Sequence, residues 1–370
     1  MNRSGSGAPL FRADHVGSLL RPADLKRAHR ARLAGSLTTD DLRAVQDASI
    51  RHVVGLQEEC GLQSITDGEF RRASYWSHFV DSVEGMTVAE ARFTFHGSTS
   101  QPTKFLAPHT DSPLRRQKSI AGDELDFLRS TTLRTAKITL PSPSTMHFWR
   151  GAAGVESGAY PEPERFFDDL AAIYRDEIED LAARGARYIQ MDEVPLAMLC
   201  DPEVRNRLEA AGESPNGLID RYLDLIEASL PADVPQVTFA MHLCRGNYKG
   251  RWLSEGGYEP VAERLFNIER INVFLLEYDT PRAGDYAPLR HMPPDKRVML
   301  GLISTKTPEL ENIDDLVRMI DDASRHIDID QLGICPQCGF ASTVGGNPLR
   351  EDDERKKLTL ACNVAERVWG

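Results

Sequence analysis

His242-Leu243-Cys244 sets an imidazole and a thiol two residues apart at the end of an apolar run, residues 237–240. A strand has period two, so both side chains project to one side of it. A ring nitrogen and a thiolate sulfur converging at a strand end suit Zn²⁺, which takes both ligand types in a tetrahedral shell. Taken alone the pair carries little weight, because His and Cys are also ordinary core residues. Two later apolar runs end in ligand types as well. Residues 273–276 lead into Glu277, and residues 332–334 lead into Cys335-Pro336-Gln337-Cys338. If the three strand ends meet on one rim, His242, Cys244, Glu277 and Cys338 can share a metal. Each piece also has a plainer role. Glu277 could pair with Arg282, Cys335 and Cys338 could form a redox couple, Lys306 could be a solvated lysine, and Trp149 a core aromatic.

The elements that must position these residues alternate in type. Short apolar runs at 11–16, 64–66, 136–140, 188–191, 236–241, 272–276, 298–303 and 331–334 read as eight strands. Between them, helical spacing of apolar residues marks 40–60, 162–184, 218–230, 258–268, 308–326 and 351–368. Near-continuous apolar strands between amphipathic helices imply a parallel sheet covered on its faces. Eight such units close into a single (β/α)₈ TIM barrel, an α/β fold. Residues 89–130 lack helical period and read as an insertion, with 93–95 pairing 104–106 as a β-hairpin. Residues 1–10 read as a flexible tail, and 11–370 as one domain. Active sites of such barrels lie at the carboxyl ends of the strands. The unusual polar residues fall there: Ser18, Asp67 and Glu69, Ser142 and Ser144, Asp192 and Glu193, and Lys306 join the metal-ligand types.

Composition narrows the function classes. A chain of 370 residues with 41% hydrophobic and 27% charged content is ordinary for a globular protein. Its net charge of −12 and lack of a basic block argue against nucleic acid or an anionic membrane as partner. No apolar run approaches the roughly 20 residues of a membrane span, and the first ten residues lack a signal-peptide core. Six cysteines are too sparse for a disulfide scaffold, which points to a reducing cytoplasm with reduced thiols. The composition is compatible with a homo-oligomer.

Several stretches resemble the catalytic domain of cobalamin-independent methionine synthase, in its stand-alone form. They are Arg12-Ala-Asp-His-Val-Gly-Ser-Leu-Leu-Arg-Pro22, Thr66-Asp-Gly-Glu-Phe-Arg71, Ile189-Gln-Met-Asp-Glu-Val-Pro195, His242-Leu-Cys244, Glu277-Tyr-Asp279, Gly301-Leu-Ile-Ser-Thr-Lys-Thr-Pro-Glu-Leu-Glu311 and Cys338-Gly339. The resemblance implies a zinc-bearing barrel that methylates homocysteine to methionine, with a methylfolate or methylcobalamin donor. It puts His242, Cys244, Glu277 and Cys338 on the zinc, and Ser18, Glu69 and Asp192 on the carboxylate and ammonium of homocysteine. Ser144 and Trp149 fall where a pterin would be held. Lys306 stands where the full-length synthase has a histidine linked to proton transfer, so Lys306 and Glu277 are the expected catalytic side chains. Cys335 is a spare thiol that could replace Glu277 at the metal. Related branches of the family keep the thiol-activating zinc with another electrophile, such as an epoxide opened by coenzyme M. A non-catalytic structural zinc protein is the remaining alternative.

Overall fold

The computed structural model describes residues 11–94, 104–156 and 158–370; the tail at 1–10 lies outside them. In chain order the strands are β1 (Ser64–Ile65), β2 (Val83–Glu90), β3 (Leu106–Arg116), β4 (Thr135–Pro141), β5 (Tyr188–Glu193), β6 (Thr238–Leu243), β7 (Val273–Glu277), β8 (Arg297–Ile303) and β9 (Leu332–Pro336). Seven of them form one parallel sheet in the order β1-β4-β5-β6-β7-β8-β9, curled as a barrel wall. Period-two alternation sorts its side chains. Phe239, Met241, Leu243, Phe274, Leu276, Val298 and Leu300 face the surrounding helices. Val16, Tyr188, Ala240, Leu275, Met299 and Cys335 pack together inside the barrel. That parity carries upward, so His242 and Cys244 lie on the side of Ala240, Asp192 on that of Tyr188, and Glu277 on that of Leu275.

The eighth position, expected as a strand over 11–16, is filled by a segment that pairs at one point only. Ala13 bridges Ile334 in parallel, through Asp14 N to Ile334 O at 3.1 Å and Ile334 N to Arg12 O at 2.8 Å. The Asp14 carboxylate then folds back onto the His15 amide, 2.7 Å, and takes that donor out of any ladder. On the other flank the segment reaches β1 through side chains: Ser64 Oγ donates to Asp14, and Thr66 Oγ1 to Gly17 O at 2.7 Å. Asp14 is also the centre of a charged cluster at the barrel's heart. It accepts from the fully buried Lys137 at 3.0 and 3.1 Å and from the Tyr188 hydroxyl at 2.6 Å.

The helices run close to the expected bounds, at Thr39–Glu59, Pro163–Ala183, Pro215–Ser229, Glu259–Phe266, Ile313–Ala323 and Glu351–Trp369. Their starts have local causes. Thr38 Oγ1 accepts from Asp41 N, the Asn312 side chain accepts from the amides of 314 and 315, and proline opens the helices at 163 and 215. No helix among the described residues is long and apolar enough to cross a membrane.

The insertion is a hairpin, but not the expected one. β2 and β3 pair antiparallel from Val83↔Arg116 to Glu90↔Leu106. Residues 95–103, which include Phe95 of the expected pairing, lie outside the described residues. A bulge between Glu84 and Met86 breaks the alternation that would have marked β2. Gly85 has φ +87 there, and a Cβ would sit 2.4 Å from Ser112 O, so only glycine fits. Phe93 is no strand residue: it is buried and stacks on Phe148 with centroids 4.9 Å apart. Gly122–Thr131, within the expected insertion, is a helix that packs against β4.

Candidate metal centre and substrate cavity

β6 and the turn after β9 bring together a three-residue cluster at the carboxyl rim. A ligand atom from each of His242, Cys244 and Cys338 lies within 4.8 Å of the others, all buried. The Cys244 and Cys338 sulfurs are 3.2 Å apart. His242 Nδ1 faces Leu275 O at 3.1 Å; a carbonyl only accepts, so Nδ1 carries the proton and Nε2 presents a lone pair. That Nε2 is buried and makes no hydrogen bond. A fixed tautomer with its free nitrogen beside two thiols matches the donor set of a tetrahedral Zn²⁺. The two thiols share a proton unequally: Cys244's donation holds Cys338 well below the usual thiol range, while Cys244 itself is pushed well up.

Glu277, expected as the fourth ligand, stands outside this trio with both oxygens engaged. Oε2 accepts from Arg245 N at 3.0 Å and Oε1 from Lys306 Nζ at 3.2 Å. Lys306 also reaches Asp279 at 3.2 Å. Burial works against its charge, but Glu277 and Asp279 prevail and raise its pKa. Lys306 thus serves here as the cationic anchor of Glu277. Cys335 points the other way, into the barrel interior beside Tyr188 and Met299, with its thiol 3.7 Å from Met299 O. Cys335→Ala is therefore expected to leave metal content unchanged and to cost about 1 kcal/mol of stability, measured by metal analysis and thermal unfolding.

Above the cluster opens a cavity of about 320 Å³ lined by Ser18, Glu69, Asp192, His242, Cys244 and Cys338. Its outer wall is aromatic, from Tyr75, Trp76, Phe105, Trp149 and Tyr248. Trp149 meets Phe105 edge to face at 5.3 Å, which ties the hairpin to the cavity mouth. Ser144 does not line the cavity; its hydroxyl donates to Glu193, whose other oxygen accepts from Leu196 N at 2.7 Å. It buttresses the loop after β5.

The two carboxylates on the cavity wall are held differently. Glu69 has φ +61, a left-handed conformation costly for a residue with a Cβ, and its amide is pinned by Asp67 Oδ1 at 2.8 Å. Its Oε1 accepts from Thr139 Oγ1 at 2.8 Å and lies 3.6 Å from Arg72; its Oε2 is buried and makes no hydrogen bond. Gly17 lets these groups close up, since a Cβ there would meet Thr139 at 2.7 Å. Asp192 Oδ1 accepts from Gln190 Nε2 at 2.7 Å. Burial raises both carboxyls, Asp192 to about 7, with the neighbouring Glu69 adding to that shift. Two such groups gain most from a cation delivered between them. Arg72, Thr139 and Arg21 were not singled out in the sequence. Arg72 earns its place through Glu124, 52 residues away, at 2.6 Å, and no local spacing announces such a partner.

A parallel barrel with a His-Cys-Cys cluster and two buried carboxylates on its carboxyl rim defines a barrel enzyme with a thiolate-rich centre. Comparison with known proteins gives the particular family. Residues 11–366 match the family model described as "Cobalamin-independent synthase, Catalytic domain", and the chain belongs to this family of methyltransferases. It is 36% identical to the uncharacterized protein YxjH of Bacillus subtilis, over 97% of this chain and 95% of that one. A methionine synthase of Pyrococcus abyssi is 26% identical, over 90% and 87%. Among solved structures, a candidate vitamin-B12-independent methionine synthase from Listeria monocytogenes superposes with a TM-score of 0.76 at 30% identity, covering 98% and 99%.

Proposed function

We propose that this methyltransferase acts on the thiol of L-homocysteine, giving methionine, at a zinc ion held by His242, Cys244 and Cys338 with Glu277 in the fourth position. The observation that carries the reading is the shared cavity: two buried carboxylates, one with a free oxygen, share a wall with the thiol-rich cluster. An amino acid with a thiol side chain has a cationic end for the first and a sulfur end for the second. The methionine synthase name of the Pyrococcus relative supports the same substrate.

The chain's own residues divide the work. Glu69 and Asp192 receive the ammonium, and Ser18 the carboxylate end. When bound, zinc would supply a thiolate at neutral pH by lowering the thiol's pKa. Glu277 would complete the zinc shell, and Lys306 and Arg245 N are placed to hold its carboxylate and balance its charge at that position. The aromatic wall excludes water from the nucleophile and presents flat apolar faces to the donor, a methylfolate or methylcobalamin, with Trp149 at the mouth. Ser144 acts on that wall indirectly, by bracing Glu193.

Metal-loaded protein given L-homocysteine and each donor in turn is expected to form methionine, followed by mass spectrometry. Glu69→Gln removes a charged partner of the ammonium and should weaken homocysteine binding by roughly 10- to 100-fold, with metal content intact. If Glu69→Gln and Asp192→Asn both bind homocysteine as the parent does, the ammonium assignment is wrong.

A further inference from the structure

Glu69 at the carboxylate end of the cavity and Cys338 at its thiol-rich end sit on two loops far apart in sequence, 67–72 and 338–343. One short segment, 17–21, is wedged between them. Ser18 O accepts from Phe340 N at 2.8 Å, and Leu19 N donates to Gly68 O at 3.1 Å. The fit against Ser18 is tight: a Cβ on Gly339 would sit 2.0 Å from the Ser18 hydroxyl.

Arg21 completes the bridge from its side chain. Nη1 donates to Ala341 O at 2.9 Å and Thr343 O at 3.2 Å. Nη2 donates to Glu69 O at 2.8 Å and Arg72 O at 3.0 Å. The guanidinium is 2% exposed and pairs with no carboxylate in these bonds; all four acceptors are backbone carbonyls. Burying a full charge is costly, and the Glu69 and Asp67 carboxylates offset that only from beyond hydrogen-bond distance, so the geometry the four carbonyl bonds impose is what the charge secures. A planar fork with donors on two sides can span two loops, which a lysine's single nitrogen cannot. One of its acceptors is the carbonyl of Glu69, the residue held in the left-handed conformation.

We propose that Arg21 is a positioning residue for amino-acid recognition, fixing the spacing between the carboxylate that takes the ammonium and the centre that takes the thiol. The proposal rests on the homocysteine reading above. It explains why the strained Glu69 backbone, whose carbonyl already accepts from Arg72 N at 3.1 Å within its own turn, is tied as well to the loop that follows Cys338. Arg21 touches neither substrate end; it sets where both ends meet the protein.

The test compares two ligands on the zinc-loaded chain by isothermal titration: L-homocysteine and 4-sulfanylbutanoate, the same thiol acid without its amino group. The parent protein should bind homocysteine at least about tenfold more tightly. In Arg21→Lys, homocysteine affinity should fall about tenfold and the amine-free analogue less than about threefold, with zinc content unchanged. Equal losses for both ligands, or none for either, would overturn the proposal. If the parent itself binds the two alike, the homocysteine reading fails and takes this proposal with it. Should Arg21→Lys not fold, Glu354→Asp retracts the carboxylate that accepts from Leu20 N at 2.8 Å and loosens the same segment. It should narrow the parent's preference for homocysteine; an unchanged preference there would also count against Arg21.

Discussion

Cys338→Ala protein is expected to fold, to lose its metal to a chelator, and to lose methyl transfer. Cys338 sits at the rim, 7% exposed, in the turn after β9. Its sulfur lies 3.2 Å from that of Cys244 and beside the free nitrogen of His242. Removing it leaves two donors of the trio, too few with Glu277 to fill a four-coordinate shell. Zinc content should fall from about one ion per chain to a small fraction of that. Methyl transfer should drop by at least on the order of 10³, since the thiol would no longer be held as a thiolate at neutral pH. Metal analysis after dialysis and a methionine assay check both parts. A metal-replete, active Cys338→Ala protein would place the centre elsewhere.

The second large effect is on stability. Lys137 is fully buried and pairs with Asp14 at 3.0 Å. Burial would push the Asp14 carboxyl up, but Lys137, followed by lesser contributions from His15 and the hydroxyls of Ser64 and Tyr188, leaves it below its ordinary value. Lys137→Met fills the space yet strands that carboxylate inside the barrel. The expected cost is about 3–5 kcal/mol, or roughly 5–15 °C in the unfolding midpoint. Adding Asp14→Asn to Lys137→Met should return part of the loss, because the stranded charge is gone. A depressed folded pKa also means that Asp14's contribution is complete above the ordinary aspartate range and fades as acid reaches the lower folded value. The parent should therefore lose stability relative to the double variant as pH falls below about 4. A single Lys137→Met variant as stable as the parent would show that the pair contributes nothing to the barrel.

What the sequence disclosed follows from which signals are local. The barrel strands at 188, 238, 273 and 298 are apolar runs of strand length, and the long helices carry clear apolar stripes, so their bounds differ by only a few residues. His242, Cys244 and Cys338 were visible because strand parity and barrel geometry both bring strand ends to one rim. The hairpin was misplaced because its first strand is interrupted by the bulge at Gly85 and only Val83 of its residues is buried, so no apolar alternation marks it. Helices Ala23–Leu33 and Pro202–Ala210 bury only two side chains each, too few to leave a stripe. The support of Glu69 was invisible for another reason. Arg21 reaches Thr343 and Arg72 reaches Glu124, contacts that exist only once the barrel closes. Cys335 and Cys338 are alike as sequence, and only the parity of β9 and the turn after it separates a core thiol from a rim thiol.

The central claim is that a thiol substrate joins the metal at His242, Cys244 and Cys338. X-ray absorption at the zinc edge, on protein with and without saturating L-homocysteine, counts the sulfur neighbours at about 2.3 Å. The account predicts two sulfurs in the resting protein and three with homocysteine. Two sulfurs under both conditions would contradict it.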